Sequence, residues 1–307
     1  MTKHITKITD LDKEEILKIL SDAHQLNEQY ICTGWNTEYF KNKTLAMIFE
    51  KPSLRTRVAF EVAANHLGGH AIYLTSTDIL ASGGNMQGRE SIPDIAKNLE
   101  NFTDVIMARV FSNETIETLA KNSKVPVINS LCDLHHPTQT LADLYTISHL
   151  YNGFPENLKV AYVGDGCNTV NSLFLACDIL GINIEIATPV GYEMPEKIIK
   201  SAKNGNFKIE NDPKLAVKNA DIIYTDTWIS MGLEKEFEKR LHDFQGYQVN
   251  KELLSHAKSS VHVMHCLPAH RGEEITDDVI DGKNSVVFAQ AQARLPIAKA
   301  LLKFLMS

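Results

Sequence analysis

The sequence predicts an α/β protein of two domains, each a parallel sheet with helices on both faces, bridged by helices including the C-terminal one. Three observations predict it. The 307 residues exceed what one average domain holds and suit two. Short apolar runs alternate with segments whose apolar residues recur at helical spacing, the pattern of successive βαβ units. That alternation breaks at Asn152-Gly153-Phe154-Pro155 and then restarts. The break separates a domain of residues 1–150, completed by the C-terminal helix (about 291–307), from one of residues 151–290.

The elements follow in order. Asp12 to Tyr30 reads as an amphipathic helix with Ile16, Leu17, Ile19, Leu20 and Ala23 on one face. Leu45–Phe49 is a buried strand, and a helix opens at about Ser53, with Val58, Val62, Ala63 and Leu67 at helix spacing. Gly68-Gly69 ends it, and Ala71–Leu74 is a short strand. Residues 75–90 form a long polar, glycine-containing loop, of the kind that often carries function. A helix from about Ser91 to Phe102, a strand Val105–Ala108 ending at Arg109, a helix Glu114–Asn122 and a strand Pro126–Asn129 continue the alternation. His136-Pro137-Thr138-Gln139 opens a helix to about Leu150. Beyond the break come strand Lys159–Val163, helix Val170–Leu180, strand Asn183–Ala187, helix Pro195–Ala202 and strand Ile222–Tyr224. Strand Ser260–Met264, a last strand Ser285–Phe288 and a helix from about Ala291 to Leu305 complete the reading.

Composition narrows the function. A net charge of −7 and the lack of any basic run argue against nucleic acid as the partner. No apolar stretch approaches a membrane span, and Met1-Thr2-Lys3-His4 lacks a signal-peptide core. Five scattered cysteines (32, 132, 167, 177, 266) suit a reduced, cytoplasmic protein without disulfides.

The chemistry centres on Ser53-Leu54-Arg55-Thr56-Arg57. A strand ends, a proline-containing turn follows and a helix begins, so free backbone N–H groups are available to an anion. Of 31 basic residues only seven are arginines, and two of those stand in this one turn. Arginine offers the planar fork that grips phosphate in two places; lysine does not. In open parallel sheets ligands bind beyond the carboxyl ends of strands. There the sequence places Ser53, Arg55, Thr56, Arg57, Arg109, His136, Gln139, Asp165, Asn168, Asp226, Ser230, His265 and Cys266. Arginine, histidine and cysteine recur in this set, unlike an ordinary solvated loop.

Two rival readings weigh less. Gly164-Asp165-Gly166-Cys167-Asn168-Thr169, with Glu185 at the next strand, imitates a dinucleotide fingerprint. Thr169 occupies the third glycine position, however, and Asp165 puts negative charge where pyrophosphate would sit. His262, His265, Cys266 and His270 fit no standard zinc spacing, and strand alternation sends His262 and His265 to opposite faces.

Four motifs together, Ser53-Leu54-Arg55-Thr56-Arg57, His136-Pro137-Thr138-Gln139, Asp226-Thr227-Trp228-Ile229-Ser230-Met231-Gly232 and His265-Cys266-Leu267-Pro268, resemble the ornithine carbamoyltransferases over essentially the whole chain. The first two are common to all carbamoyltransferases, and the last two point to ornithine. The resemblance implies a carbamoyl phosphate-binding domain at 1–150, an L-ornithine-binding domain at 151–290, assembly into a homotrimer or a multiple of trimers, and no metal or other cofactor. It implies that Ser53, Leu54, Arg55, Thr56, Arg57, Arg109, His136, Gln139, Cys266, Leu267 and Arg294 hold carbamoyl phosphate. It assigns ornithine to Asn168, Asp226, Ser230 and Met231, with catalysis resting on Arg109, His136, Cys266 and Asp226. Leu54 stands where many relatives have threonine, and Gln292-Ala293-Arg294 where Glu-Asn-Arg is more usual. The 75–90 loop, with Asn85 and Gln87 as candidates, would reach a neighbouring subunit's site. The alternatives are a carbamoyltransferase for another amine, such as putrescine, or a non-catalytic relative.

Overall fold

A computed structural model describes residues 2–76, 90–229, 232 and 234–306. The chain divides into two compact units, Met1–Tyr145 with Gln292–Ser307, and Thr146–Ala291. The division falls inside a helix, Pro137–Tyr151, upstream of the Asn152-Gly153 break.

The first unit opens with α1 (Lys13–Thr33). Asp12 accepts from the Glu15 N–H while Glu15 reaches back to the Asp12 N–H, so two otherwise unmet donors are satisfied reciprocally. Then come β1 (Thr44–Phe49), α2 (Leu54–His66), β2 (His70–Thr75), α3 (Ile92–Leu99) and β3 (Val105–Arg109). They are followed by α4 (Asn113–Asn122), β4 (Val127–Leu131) and α5 (Pro137–Tyr151). All pairings are parallel, in the order β2-β1-β3-β4. Strands β3 and β4 are buried along their whole length, as a sheet covered on both faces requires. One such layer packs Ala46, Ile48, Ile106 and Ala108 against Ile95, Ala96, Ile116 and Leu119.

The second unit holds β5 (Lys159–Val163), α6 (Asn168–Leu180), β6 (Asn183–Ala187), α7 (Glu196–Ile199) and β7 (Phe207–Glu210). It continues through α8 (Pro213–Val217), β8 (Ile222–Thr225), α9 (Phe237–Asp243) and α10 (Lys251–Leu254). Last come β9 (His262–His265), α11 (Asp277–Ile280) and α12 (Val287–Gln292). Its parallel order is β7-β6-β5-β8-β9, over a core that includes Ala161, Val163, Ile223, Val263, Phe244 and Tyr247. The chain then returns to the first unit as α13 (Arg294–Leu305), where Lys299 Nζ donates to Asn36 Oδ1 (2.6 Å) and Lys303 Nζ to Asp22 Oδ1 (2.7 Å).

Two readings of the sequence are corrected. Ser285–Phe288 is not a strand: Ser285 makes one bridge to Val263, and Val287 already begins α12. The β-branched pair Val286-Val287 imitates a strand that finds no ladder beyond that bridge. The C-terminal helix is two helices, because Pro296 lacks the N–H a continuous helix needs and is tolerated only in a first turn, here that of α13.

Both sheets reverse direction once, β1 to β3 in the first and β5 to β8 in the second. Crevices open at the carboxyl ends of strands at such points. Among the described residues no helix is long and apolar enough to cross a membrane.

Candidate active site

In the first unit the reversal lies between Phe49 and Arg109, which are paired across β1 and β3. The Glu50 N–H donates to the Arg109 carbonyl (2.9 Å), so the turn leading to α2 starts beside Arg109. Ser53 caps α2, its Oγ accepting from the Thr56 N–H at 3.3 Å. Beyond β4 a tight loop delivers His136. Cys132 Sγ accepts from Asn129 Nδ2 and the His135 N–H, both at 3.3 Å, and donates to Asn113 Oδ1 (3.5 Å). Burial raises the Cys132 thiol pKa, so this sulfur is a structural knot and not a nucleophile. Pro137, needing no donor, opens α5 directly after His136.

Five side chains interlock here. Arg294 donates from Nη1 to Gln139 Oε1 and from Nη2 to Thr56 Oγ1 (3.1 Å) and Thr138 Oγ1 (3.5 Å). Gln139 Nε2 donates to Asp143 Oδ1 (2.8 Å). His136 lies close enough to the guanidinium groups of Arg294, Arg109 and Arg55 to feel all three. Burial first, and then these cations in that order, hold its pKa well below the ordinary 6.5. His136 is therefore a neutral imidazole among cations. Lys51 joins them: it is buried, its Nζ lies 4.5 Å from the Phe111 ring centre, and burial followed by the Arg109 charge lowers its pKa. Concentrated buried positive charge suits a polyanion.

Two of the sequence-derived phosphate residues stand apart from this cluster. The Arg57 guanidinium lies 3.8 Å from the Tyr73 ring centre, its Nε 3.4 Å from Glu61, on the exposed side of α2. The helix period sends it away from Arg55 and Thr56. The Leu54 side chain is 76% exposed.

In the second unit the register Thr225↔His265 sets Asp226 and Cys266 side by side at strand ends. Cys266 Sγ donates to Asp226 Oδ1 (2.9 Å), the Thr227 N–H donates to the same oxygen (2.8 Å), and Cys167 Sγ approaches Oδ2 at 3.6 Å. Burial, then the charges of Asp226 and Asp165, push the Cys167 thiol up to about 12. Asp165 is itself pushed up to about 6 by burial, against the pull of Arg240 at 3.1 Å. Asn168 is half-buried at the start of α6. Leu267 has φ +58°, a left-handed conformation unusual for leucine, of the kind that collects at functional sites. Ser230, Met231, Asn85 and Gln87 lie outside the described residues.

The rival readings lose their footing here. A Cβ on Gly166 would sit 2.4 Å from the Glu193 carbonyl carbon, so this glycine admits the protein's own backbone. Glu185 pairs with Lys159 at 2.8 Å. Asp226, His265 and Cys266 bring ligand atoms within 4.8 Å of one another. Yet His265 Nδ1 accepts the Leu267 N–H (2.8 Å), so its proton is on Nε2, which faces Glu274 Oε1 at 3.0 Å. No lone pair of that ring is left for a metal.

Lys51, Asp143, Cys167 and Arg240 escaped the sequence reading. Lys51 was visible in the turn motif but carries no fork. Asp143 shows only as an acid four residues after Gln139 in an apolar helix.

Residues 3–149 match the family profile described as "Aspartate/ornithine carbamoyltransferase, carbamoyl-P binding domain", and residues 156–305 match "Aspartate/ornithine carbamoyltransferase, Asp/Orn binding domain". The chain belongs to the aspartate/ornithine carbamoyltransferase family. As a member it is a carbamoyltransferase. The ornithine carbamoyltransferase of Methanosarcina acetivorans is 51% identical over 308 residues, covering 100% of both chains. The crystal structure of the Thermus thermophilus ornithine carbamoyltransferase is 43% identical, covers 100% of each chain and superposes with a TM-score of 0.89. The solved Pyrococcus furiosus ornithine carbamoyltransferase is 48% identical, covers 98% of this chain and 96% of its own, and gives a TM-score of 0.92.

Proposed function

We propose that this carbamoyltransferase moves the carbamoyl group of carbamoyl phosphate to the side-chain amine of L-ornithine, giving L-citrulline and phosphate. The observation that carries the reading is the convergence of Arg55, which stands in the Ser53-capped first turn of α2, Arg109 and Arg294 on an uncharged His136. A dianionic acyl phosphate fits that charge, and a neutral N–H donor among the cations fits a carbonyl oxygen that becomes an oxyanion. The amine attacks the carbonyl carbon, a tetrahedral oxyanion forms, and the C–O bond to phosphate breaks. Phosphate departs with the electron pair and can take the amine's proton, so no covalent nucleophile is needed. Cys266 fits that scheme as a thiol, since it donates to a carboxylate instead of yielding its proton to a base.

For the acceptor, Asp226 and Ser230 suit the α-ammonium group, Asn168 and the Met231 backbone the α-carboxylate. Relatives about half identical over their full length carry the ornithine name, which supports this acceptor. The self-association we propose is a homotrimer or a multiple of trimers. The test is turnover with L-ornithine, putrescine and L-aspartate at saturating carbamoyl phosphate. We expect at least about tenfold higher kcat/KM for ornithine than for putrescine, since putrescine leaves Asn168 without its carboxylate, and no useful rate with aspartate. Equal use of putrescine and ornithine would reopen the acceptor assignment.

A further inference from the structure

The Gln139 amide stands between a group that only donates and a group that accepts. Arg294 offers nothing but N–H, and it meets Oε1; Asp143 Oδ1 receives Nε2 at 2.8 Å. An amide can be turned end for end without changing its shape, and only its neighbours decide which end is which. Turned over, Gln139 would set N–H against N–H at Arg294 and oxygen against oxygen at Asp143. Water cannot relieve that conflict, because Gln139 is 2% exposed and Asp143 0%. Arg294 cannot swing aside either, since Thr56 and Thr138 hold its other nitrogen.

We propose that Asp143 is a positioning residue through which the site selects an acyl phosphate bearing an amino group. By engaging Nε2 it keeps Oε1 of Gln139 pointing the other way, with one lone pair on Arg294 and a second available to a ligand N–H. Carbamoyl phosphate has that N–H. Acetyl phosphate has the same phosphate and nearly the same shape, with a methyl group in its place. The phosphate-binding cations cannot tell the two apart; an oxygen fixed as an acceptor can. The inference rests on the carbamoyl phosphate reading above and adds the residue that enforces it.

The test measures dissociation constants of the full chain for carbamoyl phosphate and for acetyl phosphate. The wild type should prefer carbamoyl phosphate at least tenfold. Asp143→Leu removes the acceptor, and the preference should fall below threefold while acetyl phosphate affinity stays within threefold of wild type. Asp143→Asn can still present an oxygen to Nε2 and should keep most of the preference. Equal weakening of both ligands would mean a merely structural role and would overturn the proposal, as would an unchanged preference. Should Asp143→Leu fail to fold, the exchange pair decides. Gln139→Glu sets two carboxylates face to face and should lose the preference; adding Asp143→Asn supplies a donor to the new carboxylate and should restore it. No restoration overturns the proposal. Citrulline formation by the same preparations separates the two readings. Turnover without discrimination between the acyl phosphates overturns the role of Asp143 alone. Discrimination without turnover overturns the acceptor assignment, and wild type that binds neither ligand overturns both.

Discussion

His136 is held neutral by its surroundings, and that has consequences that can be read out. A neutral ring donates one N–H without adding charge, so His136→Gln, which keeps an N–H donor, should retain at least tenfold more kcat than His136→Ala; a single donor of this kind is typically worth about 3 kcal/mol. Equal losses would show that the donor is not what matters. The lowered pKa also sets a sign. Between that value and 6.5 the unfolded chain binds a proton that the folded protein refuses, so stability falls as pH drops below about 6.5. Denaturant titrations at pH 7 and pH 5 should show a smaller loss for His136→Gln than for wild type. The histidine itself was legible in the sequence because it stands at a strand end before Pro137. Its charge state was not, since that depends on Arg55, Arg109 and Arg294, which lie far apart in the chain.

At the scale of elements, short connections carry the site, and two of them invite mutation. Removing the Ser53 cap of α2 with Ser53→Ala should cost about 1 kcal/mol in stability, measured by chemical denaturation. It should also weaken carbamoyl phosphate binding, because the same helix turn presents the N–H groups. In the second unit Arg240, on α9, donates to the Trp228 carbonyl (2.8 Å) and to Glu236 (2.8 Å) and pairs with Asp165. It thereby fixes the segment that follows Asp226. Arg240→Ala should raise the KM for ornithine at least tenfold and leave carbamoyl phosphate affinity unchanged; a parallel loss of both would refute that local role. Long elements were readable from periodicity, and their bounds moved by a few residues: Ser91–Phe102 became Ile92–Leu99, and Val170–Leu180 became Asn168–Leu180. Edge and partner-dependent pieces were not. β7, Phe207-Lys208-Ile209-Glu210, alternates as a half-exposed edge strand should, but four residues are too few to separate from a loop without β6 alongside.

The whole molecule shows in the helix that closes the first unit. Lys299 on α13 is 2% exposed, its Nζ bound to Asn36 and 4.3 Å from the Tyr30 ring centre, and burial lowers its pKa to about 8. The unfolded chain keeps that proton up to about 10.5, so folding is relieved of a cost as pH rises from 8 to 10.5. Relative to Lys299→Met, wild type should gain up to about 3 kcal/mol over that window in denaturant titrations; a constant difference would show that the amine is not strained by burial. Two parallel sheets could be read from alternation alone. The first unit is discontinuous; in the sequence reading about 291–307 completes the first domain, although no periodicity within that segment says which unit it joins. That discontinuity governs the order in which a growing chain can become functional. Arg294 is translated 155 residues after its partner Gln139. At ordinary elongation rates that interval is roughly 8–30 s. Throughout it Thr56, Gln139 and Asp143 wait on the ribosome for the guanidinium that organises them, while the second unit, uninterrupted in sequence, is made and completed. Folding therefore finishes in the half that is begun first, and a nascent chain holds no complete phosphate pocket until its last helix emerges.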